Sequence, residues 1–226
     1  MVYEVKNDNI PMYKQYMSML IIAACVIVMI LQFLSPDMLI NFAFVPEQFF
    51  RGEPWGFITM FTSMFLHGDL VHLIMNMWFF YVVADNCEKA LGHIGFLLTY
   101  IGSGLFASFL HAMTSIIASF AFPDILSIPC LGASGAIFGM IGVYSILFPK
   151  TQLALLSSPL TGSVTVSRRI KASQFIALYL IAEVSYGIYS LIDPLGAGQT
   201  AHFAHVGGFV VGAIVAFIYK AYKEIK

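Results

Sequence analysis

Apolar residues fall along the chain in blocks long enough to cross a membrane, separated by short clusters of proline, glycine and charge. The first block, about Ser18 to Leu34, stops at Ser35-Pro36-Asp37 and follows a polar stretch holding Glu4, Lys6, Asp8 and Lys14. No small-residue cleavage site follows it, so it predicts a span rather than a signal peptide. Residues 40–62 are apolar and aromatic but broken by Pro46, Pro54 and two glycines. That mixture predicts an interfacial segment lying partly among lipid headgroups, the zone aromatic rings favour. A second span is expected from about Asp69 to Val83, ending at Asp85-Asn86-Cys87-Glu88-Lys89, and a third from about Ile94 to Phe122. A loop from Pro123 to Pro129 leads to a fourth block, and Gln152 to Lys171 reads as a polar linker. The fifth span runs from about Ala172 to Ile192, and the sixth from about Ala201 to Tyr219. Between them Asp193 to Thr200 forms a proline- and glycine-rich loop, expected to be mobile.

The fourth block departs from the others in length. Ser134 to Phe148 is 15 residues, closed by Pro149-Lys150. Such a helix covers about 21 Å against about 30 Å of hydrocarbon. With Lys150 at one membrane face, Ser134 lies about 9 Å inside the other. A hydroxyl is therefore placed below the surface, in Gly132-Ala133-Ser134-Gly135-Ala136-Ile137-Phe138-Gly139.

Composition agrees with the block pattern. Of the 226 residues, 59% are hydrophobic and 10% charged, where a soluble domain carries about 25% charged residues. The chain reads as an all-α integral membrane bundle of six spans with an interfacial first loop and no second folded domain. Its expected divisions are a cytoplasmic tail over residues 1–17, a membrane domain over 18–222 and a second cytoplasmic tail over 223–226. A net charge of −1 offers no basic patch for nucleic acid. Cys25, Cys87 and Cys130 are odd in number and lack metal-ligand spacing, so neither a disulfide framework nor a metal site is expected. No internal repeat suggests an inverted-repeat transporter.

Charge also orients the chain. With the N-terminus inside, Lys6, Lys14, Lys89, Lys150, Arg168, Arg169, Lys171, Lys220, Lys223 and Lys226 share one side and only Arg51 falls on the other. This positive-inside partition predicts cytoplasmic termini and sets Ser134 near the extracytoplasmic end.

Three spans carry polar groups at that depth. His72 and Asn76 are four apart on one face of the second span, with His67 at its mouth; His202 and His205 open the sixth. Each has a plainer reading alone. Serine bonds back to a carbonyl one turn earlier, His and Asn join helices, and histidines favour the interface. Their common depth argues for a shared site. Gly135, Gly139 and Gly142 line one side of the fourth span, and Gly208 and Gly212 form a small-xxx-small pair on the sixth, so close packing is expected. His205 shares the face of Gly208 and Gly212, whereas His202 points elsewhere, which favours His205 as a base for Ser134. His72, the Asn76 amide and the Ser134 backbone N–H are the candidate oxyanion donors. No acid is expected to complete a triad: Asp193 falls in the loop and Glu183 is mid-span. A Ser–His dyad follows.

With these residues, the chain resembles the rhomboid family of intramembrane serine proteases. The matching motifs are His67-x4-His72-x3-Asn76, Gly132-Ala133-Ser134-Gly135, and Ala204-His205-x2-Gly208 with Gly212; Glu88-Lys89-Ala90-Leu91-Gly92 also looks like the family's turn after the second span. The resemblance implies nucleophile Ser134, base His205, oxyanion donors His72 and Asn76, and no cofactor. It further implies a structured first loop, a mobile cap over Asp193 to Thr200, and single-span membrane protein substrates cut in or next to the bilayer. The chain departs from the family pattern at Gly56, where arginine often follows the tryptophan, and at Phe138, where many members have tyrosine. A non-catalytic rhomboid-like binder of client helices is the alternative; a small transporter lined by His72, Asn76 and His205 is a more distant one. No oligomeric state is indicated.

Overall fold

The computed structural model describes residues 2–4, 14–157, 165–193 and 200–225. Among them the elements are β1 (Val2–Glu4), α1 (Tyr16–Leu34), α2 (Asp37–Phe42), α3 (Pro46–Phe50), α4 (Pro54–Thr62), α5 (Leu70–Ala118), α6 (Ser134–Leu147), β2 (Gln152–Ser157), β3 (Thr165–Lys171), α7 (Ala172–Ile192) and α8 (His202–Ile225). Helices α1, α5, α7 and α8 are long and apolar enough to cross a membrane, and α6 is a shorter apolar helix. Large apolar side chains such as Leu34, Leu98, Ile181 and Phe217 face outward, while Tyr100, Tyr144, Phe80 and Phe96 are fully enclosed. An apolar exterior of that extent suits lipid and not water.

Helix α5 holds the second and third apolar blocks in one 49-residue element that leaves helical geometry only at Gly92, at φ 71° and ψ 164°. A straight helix of that length would reach about 74 Å, more than twice the hydrocarbon thickness. It folds back instead. Phe80 and Tyr100, one on each side of the break, meet with ring centroids 5.4 Å apart. The polar run around residues 85–89, expected as a loop, is helical because the turn is concentrated in one glycine that accepts a positive φ without a Cβ clash.

Two carbonyl- and carboxylate-centred ties hold α1 to this hairpin of helices. At one end Glu88 accepts hydrogen bonds from Met17 N and Ser18 N, both at 2.9 Å, and from the Ser18 hydroxyl. His93 Nδ1 lies 2.6 Å from the same carboxylate. The carboxylate serves as the cap that α1's own N-terminal side chain does not provide, satisfying free N–H groups at the positive end of the helix. At the other end Gln32 acts like a strand neighbour of His67, donating Nε2 to its carbonyl at 2.8 Å and accepting its N–H at 3.1 Å.

The expected interfacial segment is three short helices, α2 to α4, rather than one. Trp55 Nε1 donates to the Asn41 carbonyl and the Thr62 hydroxyl to that of Phe42, each at 2.8 Å. A Cβ at Gly56 would sit 2.7 Å from Phe49 N, so α3 and α4 pack backbone to backbone and leave no room for a side chain there.

The segment Gln152 to Lys171 differs from the linker read in the sequence. Its two ends are strands β2 and β3, paired antiparallel, and β1 adds to β2 to give the order β1-β2-β3. Backbone pairing, not apolar length, makes this sheet, and β1 lies about 150 positions away in the chain. Leu153 and Ala154 are buried where it meets the helices.

Helix α6 occupies the centre, with residues 135–144 all buried. Its glycines meet α8 as the stripes predicted. A Cβ on Gly208 would collide with the Gly135 carbonyl, one on Gly212 with the Gly139 carbonyl, and one on Gly142 with the Phe209 carbonyl. Gly208→Ala should therefore lower unfolding stability in detergent by about 1–3 kcal/mol, the usual cost of overpacking. Gly102→Ala, which meets nothing within 4 Å, should leave stability unchanged or raise it by up to about 1 kcal/mol through helix propensity. Equal behaviour of the two variants would mean that the α6–α8 contact is not close-packed.

Candidate active site

Ser134 is the first residue of α6, at the end where its backbone N–H groups lack helical partners. His205 lies in the first turn of α8, one turn before Gly208. The glycine contact brings the two helices together here, and His205 Nε2 stands 2.8 Å from Ser134 Oγ. His205 is 7% exposed and Ser134 half-buried. The Phe138 ring, one turn into α6, stacks on the imidazole with centroids 4.3 Å apart and planes 6° from parallel. Phenylalanine thus holds the imidazole flat in its slot without a hydroxyl.

The other side of His205 was not anticipated. Its Nδ1 is 2.9 Å from Glu183 Oε2, and His202 Nδ1 is 2.7 Å from the same oxygen. The mid-span acid set aside in the sequence reading is therefore at the site, 5% exposed between two histidines. His202 is at the site as well, its ring stacked on Tyr186. The acid was set aside because it stands mid-span without a motif, while both of its partners lie on α8, 19 and 22 positions on. The signal available was the acid itself: a carboxylate within a membrane helix is costly and marks a function by default. The three residues also form a group whose ligand atoms lie within 4.8 Å of one another.

On the α5 side, Asp69 caps the helix by accepting the His72 N–H at 2.8 Å. His72 and Asn76, one turn apart, border Gly132. A Cβ on Gly132 would lie 2.9 Å from His72 Cε1 and 3.7 Å from Asn76 Nδ2, and its φ of +121° also requires glycine. The Gly132 N–H donates to the Ser63 carbonyl at 2.9 Å, and Phe44 pairs with Cys130 through both backbone bonds, so the first loop braces the strand that enters α6. The Gly68 N–H points at His72 Nδ1 from 3.5 Å, a contact that favours the tautomer with its hydrogen on Nε2. Asn76 Nδ2 is buried without an acceptor among the described residues, which is unusual for an amide. Two donors thus face the loop two residues before Ser134.

His67 is fully buried, edge-on to His72 with ring centroids 5.1 Å apart. Burial, with His72 beside it, pushes its imidazole down to about 4, so it is neutral at physiological pH. The expected cap, Asp193 to Thr200, lies outside the described residues except at its two ends.

Comparison with known proteins settles the kinship. A family model described as "Rhomboid domain" matches residues 51–222. The chain belongs to the rhomboid family. This rhomboid is 28% identical over 168 residues to "Rhomboid protein 1, mitochondrial" of Saccharomyces cerevisiae, covering 74% of this chain and 43% of that protein. It is 27% identical over 159 residues to "RHOMBOID-like protein 4" of Arabidopsis thaliana, covering 70% and 33%. With "Rhomboid-like protease 2" of Toxoplasma gondii it shares 28% identity over 193 residues, covering 85% and 57%. The matched stretches span between a third and somewhat over half of these relatives' lengths.

The crowding at Gly132 predicts a local effect. Gly132→Ala should cost about 1–3 kcal/mol of stability from its positive φ alone and push the His72 ring away. Thermal unfolding in detergent reads the first; a variant as stable as the parent would mean the loop has another conformation.

Proposed function

We propose that this rhomboid is an intramembrane serine endopeptidase, with Ser134 as nucleophile, His205 as base, and His72 and Asn76 as oxyanion donors. The observation that carries the reading is the 2.8 Å approach of His205 Nε2 to Ser134 Oγ at the head of a helix too short for the bilayer. Imidazole at that distance takes the hydroxyl proton as Oγ attacks a peptide carbonyl, then returns it to the leaving amine. The carbonyl oxygen, now negative, meets donors already fixed in place: Asn76 Nδ2, His72 Nε2 and the N–H at the start of α6. Water then hydrolyses the acyl-enzyme, so the cavity opens to the membrane face nearest Ser134. The protease name of the Toxoplasma relative supports this activity.

The proposed topology is six crossings: α1, the two limbs of α5, α6, α7 and α8. Both termini are cytoplasmic, and the membrane unit covers residues 18–222 of a multi-pass protein in the cell membrane. Support comes from the basic-residue partition and from the β1–β2 pairing, which sets the N-terminal strand beside the segment after α6. Substrates are single-span membrane proteins. A peptide bond within a helix is shielded by its own hydrogen-bonded backbone, so a substrate unwinds locally before Ser134 reaches it.

Cleavage of a model single-span protein in vesicles tests the assignment. Ser134→Ala and His205→Ala should abolish it, and Asn76→Ala should lower the rate by on the order of 10²–10³. Labelling of Ser134 by a fluorophosphonate separates an enzyme from a non-catalytic binder. Cleavage surviving Ser134→Ala would end the reading.

A further inference from the structure

A carboxylate buried within a membrane helix is expensive unless its oxygens are satisfied. Glu183 is such a group: it sits mid-way along α7, and both of its recorded partners are histidines of the neighbouring helix, on one oxygen. An ionised carboxylate only accepts, so the hydrogen in each bond is on Nδ1. For His205 this decides the tautomer. With Nδ1 protonated, a neutral ring presents Nε2 as an acceptor, and Nε2 is the atom 2.8 Å from the Ser134 hydroxyl.

We propose that Glu183 is a positioning residue that fixes His205 through Nδ1, with His202 as a second donor that clamps the same oxygen. The inference rests on the reading of Ser134 and His205 as nucleophile and base. Phe138 sets the plane of the imidazole and Glu183 sets its rotation and tautomer, so the ring is held on one face and one edge. As Ser134 gives up its proton, the imidazolium forms beside a carboxylate already in contact, with no rearrangement needed. His202 leaves the carboxylate little freedom to swing from His205, since both bonds end on Oε2.

A metal ion is the competing occupant of these three side chains. Zinc bound at about 2.0–2.2 Å by all three would hold its donor atoms about 3.3 Å apart. The 2.7 and 2.9 Å separations are those of shared protons. A purely structural tie between α7 and α8 is the other competitor, and glutamine would preserve much of it.

The experiment measures steady-state cleavage per folded molecule for Glu183→Gln, Glu183→Asp and His202→Gln, with ¹⁵N spectra of histidine-labelled protein. Neutralising the acid of a Ser-His-Asp triad without changing its shape costs about 10⁴ in kcat. Glu183→Gln should lower kcat by on the order of 10²–10⁴ with KM within about threefold, and Glu183→Asp should recover at least about tenfold of the loss. His202→Gln should cost less than about tenfold, because the His205 bond remains. In the parent protein the spectrum should show His205 protonated on Nδ1 and bare on Nε2. A kcat within about threefold of the parent in Glu183→Gln overturns the proposal, as does a His205 bare on Nδ1. If Glu183→Gln does not fold, the parent spectrum and Glu183→Asp decide. Activity lost on chelation and restored by Zn²⁺ alone overturns it in favour of a metal. A parent protein whose Ser134 resists fluorophosphonate sinks the underlying reading; normal labelling in both parent and Glu183→Gln sinks only this inference.

Discussion

Two backbones in contact set the geometry on which the rest depends. Lipid offers helices little hydrophobic drive to associate, so close packing has to supply it, and small residues permit the closest packing. Gly208 lies against the Gly135 carbonyl and Gly212 against that of Gly139, which fixes both the separation of α6 and α8 and their register along the axis. Ser134 immediately precedes the first of these contacts on one helix, and His205 is one turn ahead of it on the other. Their 2.8 Å approach follows from that register. On its remaining flank α6 meets α5 through Ala107 at Gly135 and Ser103 at Gly139, again small against small. His72 and Asn76 belong to the partner limb of that same α5 hairpin. One set of glycines thereby positions groups from three helices.

The two ends of the bundle do different things. Around Gly92, Glu88 and His93 finish the N-terminus of α1 with a buried, fully engaged carboxylate, and the sheet lies where α6 ends and α7 begins. At the opposite end the ties are looser in kind but denser in chemistry: Gln32 with His67, Ser63 with Gly132, Phe44 with Cys130. These ties fasten the loops that the short α6 leaves behind. A helix of 14 residues cannot fill the bilayer, and the space above Ser134 is enclosed by the first loop instead of by another turn of helix.

Much of this was legible in the sequence. The apolar blocks marked the helices, with α7 running from Ala172 to Ile192 as read, and the glycine spacing marked the face joining α6 to α8. His67, His72, Asn76, Ser134, His202 and His205 were singled out because they share a depth, which is a one-dimensional property. Glu183 was set aside, and His202 was turned away from the site, because their meeting is lateral. Nothing in the periodicity of α7 says which residue of α8 it will face, and the intervening loop fixes no register. The sheet was hidden for the same reason: β1 and β2 pair although the whole of α1 to α6 separates them along the chain. Gly92 was read as the end of the turn after the second span, and one positive φ there does all the turning.

In the proposed reaction, Glu183 also changes what kind of base His205 would be. A histidine alone in a membrane cavity must form its cation with only water and helix dipoles to answer the charge, and water is scarce there. Low dielectric makes an unpaired charge costly and a paired one strong. Placing the anion first, shared between two N–H donors, means that its burial is met in the resting protein by hydrogen bonds rather than during reaction. In the proposed reaction a proton leaving Ser134 would then create a cation where an anion waits. The same environment that makes Glu183 expensive makes it effective, and this is the physical reason for a carboxylate on α7 at the depth of Ser134.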